Sequence, residues 1–109
     1  MFDKNPLLSK LLHSLEDIHA LDIKVIDVHL QTTVTDYMVI ASGRASRHVK
    51  AIADKVMEDM KSSGLKALHA TGIESGDWAL VDFGDVILHV MQPESRQFYN
   101  LEGLWESHK

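Results

Sequence analysis

The chain has no cysteine, so no disulfide framework or thiolate metal site can be built from it, and a reducing compartment suits it. No apolar run approaches the ~20 residues that a transmembrane helix needs. The opening MFDKNPLLSK carries an acid at Asp3 and no arginine, so it resembles neither a secretory signal nor a transit peptide. These absences lead to the expectation of a cytoplasmic protein without membrane contact. Histidine is not scarce, yet His13, His19, His29, His48, His69, His89 and His108 form no HxH or HxxxH pair and match no zinc spacing. No serine lies in a GxSxG elbow either. No catalytic residue, metal or cofactor is therefore expected.

Positive charge is scarce in one region only. Residues 1–69 hold nine acids and nine bases, whereas residues 70–106 hold Glu74, Asp77, Asp82, Asp85, Glu94, Glu102 and Glu106 against Arg96 alone. Nucleic-acid affinity comes largely from cations meeting phosphates, so this C-terminal third is poorly suited to nucleic acid. It suits a basic protein, whose approach its field would steer.

What is present describes one globular domain, residues 1–109. The composition is 45% hydrophobic and 25% charged. A chain of this length buries roughly 60–65% of its unfolded surface in a single core. Asn5-Pro6 reads as a helix start, and Leu8, Leu11, Leu12, Leu15 and Ile18 continue at helical spacing through residue 20. Asp22 to Leu30 reads as a strand, and the apolar run Asp36 to Ser42 as a central strand covered on both faces. A second helix is predicted over 46–62, capped by Ser46, with Val49, Ile52, Ala53, Val56 and Met60 inward and Gly64 as its left-handed end. Leu65 to Ala70 reads as a strand, and Pro93 opens a short helix to Tyr99 with a further turn over Leu101–Trp105. The order αββαβββα predicts an α/β (α+β) sandwich: a mixed five-stranded sheet with helices packed on it.

The chain is organised around Gly76 to Met91, GDWALVDFGDVILHVM, which reads as a hairpin turning at Phe83-Gly84. A two-residue turn there sets Asp82 opposite Asp85, Leu80 opposite Ile87 and Trp78 opposite His89. Ala79, Val81, Val86, Leu88 and Val90 make one face, plainly a core face. The other carries Trp78, Leu80, Asp82, Asp85, Ile87, His89 and Met91. Large apolar groups mixed with unpaired acids make a poor core and a good docking surface. An internally packed indole is the competing reading for Trp78. Phe98, Tyr99 and Trp105 are expected to clamp the last helix on the sheet.

Two weaker sites compete. The turn Ser42-Gly43-Arg44-Ala45-Ser46 lies between a strand and a helix, where backbone amides with Arg44, Arg47, His48 and Lys50 could hold an anion or touch RNA. It lacks the lysine and glycine spacing of a phosphate-binding loop, and a plain turn with solvated basic residues explains it better. Asp82 and Asp85 have the spacing of paired carboxylates for metal or acid/base work, but no third ligand is placed beside them by sequence. A small nucleotide-binding or nucleotidyl-transfer enzyme using that turn is the alternative function.

The segments DIKVIDV, TDYMVIASGRASRHVKAIADKV, GDWALVDFGDVILHVM and ESRQFYNLEGLWE resemble, in order and spacing, the ribosomal silencing factor family (RsfS, also Iojap or YbeB). The resemblance runs from about Leu8 to Glu106. It implies an α/β sandwich related in topology to nucleotidyltransferases, without their metal-holding motif around Ser42-Gly43. It also implies a bacterial translation regulator with organelle relatives that catalyses no reaction. Such a factor binds the fourteenth protein of the large ribosomal subunit, blocks joining of the small subunit and lowers translation when nutrients are short. A minor ribosomal RNA contact, and a homodimer formed through the Trp-bearing face, are compatible with that role.

Overall fold

The computed structural model describes residues 6–106, with the side chains of 104–106 outside the description. Helix α1 spans Pro6–Asp17, strand β1 Leu21–Asp27, β2 Tyr37–Ser42, and helix α2 Ser46–Ser62. Strands β3 (His69–Thr71), β4 (Trp78–Asp82) and β5 (Val86–Met91) follow, then the short helices α3 (Pro93–Tyr99) and α4 (Leu101–Glu106). The expected mixed five-stranded sheet forms in the order β1-β2-β5-β4-β3. β2 and β5 run parallel, while β1-β2, β3-β4 and β4-β5 run antiparallel. The fold is α+β.

The two long helices end in the same way. At α1, His19 takes the left-handed conformation (φ 59), and the amides of Ala20 and His19 return to the carbonyls of Leu15 and Glu16. At α2, Gly64 (φ 86) does so, with Leu65 and Gly64 returning to Met60 and Lys61. Both are Schellman closures, which satisfy carbonyls a helix end would leave open. That at α1 stops the helix at Asp17, short of the expected residue 20. Asn5, the expected cap of α1, lies outside the described residues. The cap of α2 is Ala45 in extended conformation without a side-chain bond, so Ser46 is the first helical residue and not the cap.

The sheet has two unlike faces. Val39, Ala41, Ala79, Val81, Phe83, Val86, Leu88 and Val90 pack under α1 and α2, joined by Leu8, Leu11 and Leu15 of one helix and Val49, Ile52, Ala53, Val56 and Met60 of the other. On the opposite face Ile26, Val28, Met38, Ile40 and Met91 make a smaller cluster, with Trp78 and Leu101 packed against it. β2 is thus covered on both sides, as its unbroken apolar run implies.

Three strand expectations change. β1 ends at Asp27 because Val28 to Thr32 curl into a turn, with Gln31 and Thr32 donating to the Val28 carbonyl. β3 begins only at His69, since Leu65 is held by the closure of α2, and Leu65 and Leu68 are exposed. The hairpin register is displaced by two residues: Asp82 faces Ile87, Leu80 faces His89 and Trp78 faces Met91. The Phe83 amide bonds the Val86 carbonyl at 2.9 Å, so the loop is Gly84-Asp85. Gly84 has φ 92, and a tight hairpin with a positive φ at its first loop position needs glycine there. Asp82 Oδ1 accepts from the Gly84 amide at 2.7 Å and secures the turn. A displacement of two leaves each side chain on its expected face.

A candidate docking face

The face opposite the long helices divides in two. α4 packs on β1, and Leu101 joins the Ile26–Met91 cluster, so the β1-β2 side is covered. The C-terminal segment is tied down by Arg96, which is buried: its Nη1 donates to Ser42 Oγ at 3.0 Å, and Nε and Nη2 fork onto the Glu102 carboxylate at 2.8 and 3.1 Å. The Arg96 guanidinium holds the Glu102 carboxyl below its usual range. A two-toothed charge-assisted pair of this kind fixes orientation as well as contributing energy.

What remains open runs along β4. Trp78, Leu80 and Asp82 are half-buried and Asp85 is exposed, which leaves them reachable by a partner. Asp82 and Asp85 pair with no cation among the described residues. Leu68 lies exposed beside Gly84 and adds an apolar rim at the turn. By contrast Ile87, His89 and Met91, expected as contact residues, are 8%, 5% and 0% exposed. They flank the strip on the neighbouring strand, opposite Asp82, Leu80 and Trp78. Their burial has a physical cause: β5 is the central strand, flanked by β2 and β4, and the C-terminal segment lies over its end.

His89 sets the posture of Trp78. The indole Nε1 donates to His89 Nδ1 at 3.0 Å, which makes His89 Nε2 the protonated nitrogen. That Nε2 is buried without a partner among the described residues, and burial pushes the imidazole down to about 4, so the ring is neutral at ordinary pH. The Tyr99 ring lies 4.8 Å from the indole, centroid to centroid. Trp78 is therefore braced at its side and left half-open.

Two aromatic expectations are corrected. Phe98 is 81% exposed and Tyr99 53% exposed, so Phe98 clamps nothing and Tyr99 covers Trp78 only in part. The side chain of Trp105 lies outside the described residues. The helical period could have revealed this: with Arg96 turned inward, Phe98 two residues later points away, while Tyr99 at three returns towards the sheet.

The strand-to-helix turn is largely spent on itself. The Gly43 amide bonds the Met91 carbonyl at 3.0 Å, and the Arg44 amide bonds His48 Nδ1 at 2.9 Å. His48 Nε2 in turn donates to the Ile18 carbonyl, pinning the turn to the end of α1. Arg44, Arg47 and Lys50 stand exposed around it. Among the described residues no three His, Cys, Asp or Glu side chains converge in a way that could hold a metal ion, and no helix is long and apolar enough to cross a membrane.

The family profile described as "Ribosomal silencing factor during starvation" matches residues 2–109. The chain belongs to the ribosomal silencing factor family. Among family members, the ribosomal silencing factor RsfS of Zymomonas mobilis is 43% identical over 95% of this chain and 78% of its own. A mouse relative named "Mitochondrial assembly of ribosomal large subunit protein 1" is 39% identical over 80% of this chain and 40% of its own. The fold agrees with a crystal structure from Chromobacterium violaceum at a TM-score of 0.90, with 39% identity over 92% of this chain and 83% of that one.

Proposed function

We propose that this protein silences translation by docking on the large ribosomal subunit and sterically preventing the small subunit from joining it. The contact is the strip Trp78–Leu80–Asp82 with Asp85, set against the fourteenth protein of the large subunit. One observation carries this reading: a braced, half-open indole and leucine stand beside two carboxylates that no cation among the described residues neutralises. Apolar anchors supply desolvation energy, and uncancelled carboxylates select a basic surface and set the on-rate. The name of the mouse relative, which refers to assembly of a large ribosomal subunit, supports the choice of target. Occupancy of the contact surface is sufficient; the factor needs no reaction and no conformational switch of its own. A minor ribosomal RNA contact through the exposed Arg44, Arg47 and Lys50 would add to the footprint.

The test is co-sedimentation with isolated large subunits together with a subunit-joining assay. Trp78→Ala is expected to weaken binding by about 2–4 kcal/mol, the range of an interface hot spot, while the protein stays folded. A variant that blocked joining at wild-type concentration would remove the strip from the mechanism.

A further inference from the structure

The exposed aromatics at the end of α3 are a feature of this face that the docking strip does not use. Phe98 is the more exposed of the pair, and its ring meets that of Tyr99 at 5.0 Å and 87°, edge to face. Tyr99 in turn lies against Trp78 at 4.8 Å. Three rings thus run outward from the sheet in one ladder whose last two members offer accessible surface. Glu94 is exposed and four residues before Phe98, so helical spacing puts its carboxylate on the same side of α3. The two exposed rings adjoin, and contiguous exposed apolar surface marks an interaction site where scattered apolar residues do not.

We propose that Phe98, Tyr99 and Glu94 form a second docking element beside Trp78, which grips a guanidinium or ammonium group on the same basic protein surface. Charge decides the occupant. From residue 70 to 103 the chain carries Glu74, Asp77, Asp82, Asp85, Glu94 and Glu102, and its single base, Arg96, is engaged by Glu102. A nucleobase stacked on Phe98 would bring its phosphates into that field, whereas a cation is drawn in by both the carboxylate and the ring faces. This element rests on the docking reading above and extends its footprint from the sheet onto α3.

The experiment measures affinity for isolated large subunits with Phe98→Ala, Glu94→Gln and Trp78→Ala at two salt concentrations, and thermal stability of each variant. Phe98→Ala is expected to weaken binding roughly tenfold with no loss of stability, since its ring is solvent-exposed. Glu94→Gln is expected to slow association several-fold and to flatten the salt dependence. If Trp78→Ala loses binding and Phe98→Ala binds as wild type, this inference falls and the docking strip stands. If both variants bind as wild type, the docking face itself is misplaced. A Phe98→Ala loss reproduced on protein-free ribosomal RNA, or seen only as a change in self-association, overturns the cationic occupant in favour of RNA or of a second copy.

Discussion

The two faces of the sheet are made from the same five strands and differ in what completes them. The face under α1 and α2 is closed by two long helices whose apolar stripes match its valines and leucines. The other is closed on one side only, by two short helices anchored through Arg96, and the β4 side is left half-open. Completion by long helices makes a face structural. Partial completion by a short, polar-anchored segment leaves part of it open.

The comparison can be broken most severely on the closed face. Leu88→Ala on β5, whose side chain is fully buried there, is expected to cost about 3–4 kcal/mol in denaturant unfolding, by lost transfer energy and a cavity. It should leave the affinity of the folded fraction for large subunits unchanged.

On the open face, His89 predicts a pH dependence. Its folded value, about 4, lies below the ordinary one, so the folded state binds the proton less well than the unfolded state. The stability carried by the neutral ring is complete above the unfolded value and is lost as pH falls from about 6.5 towards 4, by on the order of 3 kcal/mol. Protonation also removes the acceptor for the Trp78 indole. His89→Gln should flatten this part of the stability–pH curve, as the difference between the two proteins across that window. Equal slopes would mean that the imidazole is not buried as described.

The boundary between covered and open surface is tested by Glu102→Ala. Among the described residues Arg96 would keep Ser42 alone as a partner for a buried guanidinium. The expected loss is about 2 kcal/mol, at the low end for a broken pair because the carboxylate is itself partly exposed. Release of Tyr99 should shift the Trp78 emission to the red, read in a Trp105→Phe background. Smallest of all is Asp82→Asn with Asp85→Asn, expected to slow association with large subunits several-fold at low salt, and to matter little at high salt.

Much of this is legible in the chain. The helix α2 runs over the expected residues 46–62 with its predicted inward set, because a 3.6-residue apolar period has one way to meet a sheet. The two faces of the hairpin are as the alternation dictates, even though the expected pairing is displaced by two residues, since a slip of two preserves side. The loop position is not legible in the same way: glycine's freedom at φ 92 selects which loop position it occupies, and periodicity does not record that.

The order of elements, the core face and the concentration of uncancelled acid in the last third follow from local pattern and composition, which depend on neighbours in sequence. Which strip of the second face stays open was decided only when β5 took the centre of the sheet and Arg96 reached Ser42, 54 residues away in sequence. With the C-terminal segment held there, Leu101 packs against the cluster that contains Met91, and Tyr99 lies 4.8 Å from Trp78. No period in the sequence encodes this arrangement, because it joins groups that only folding brings together.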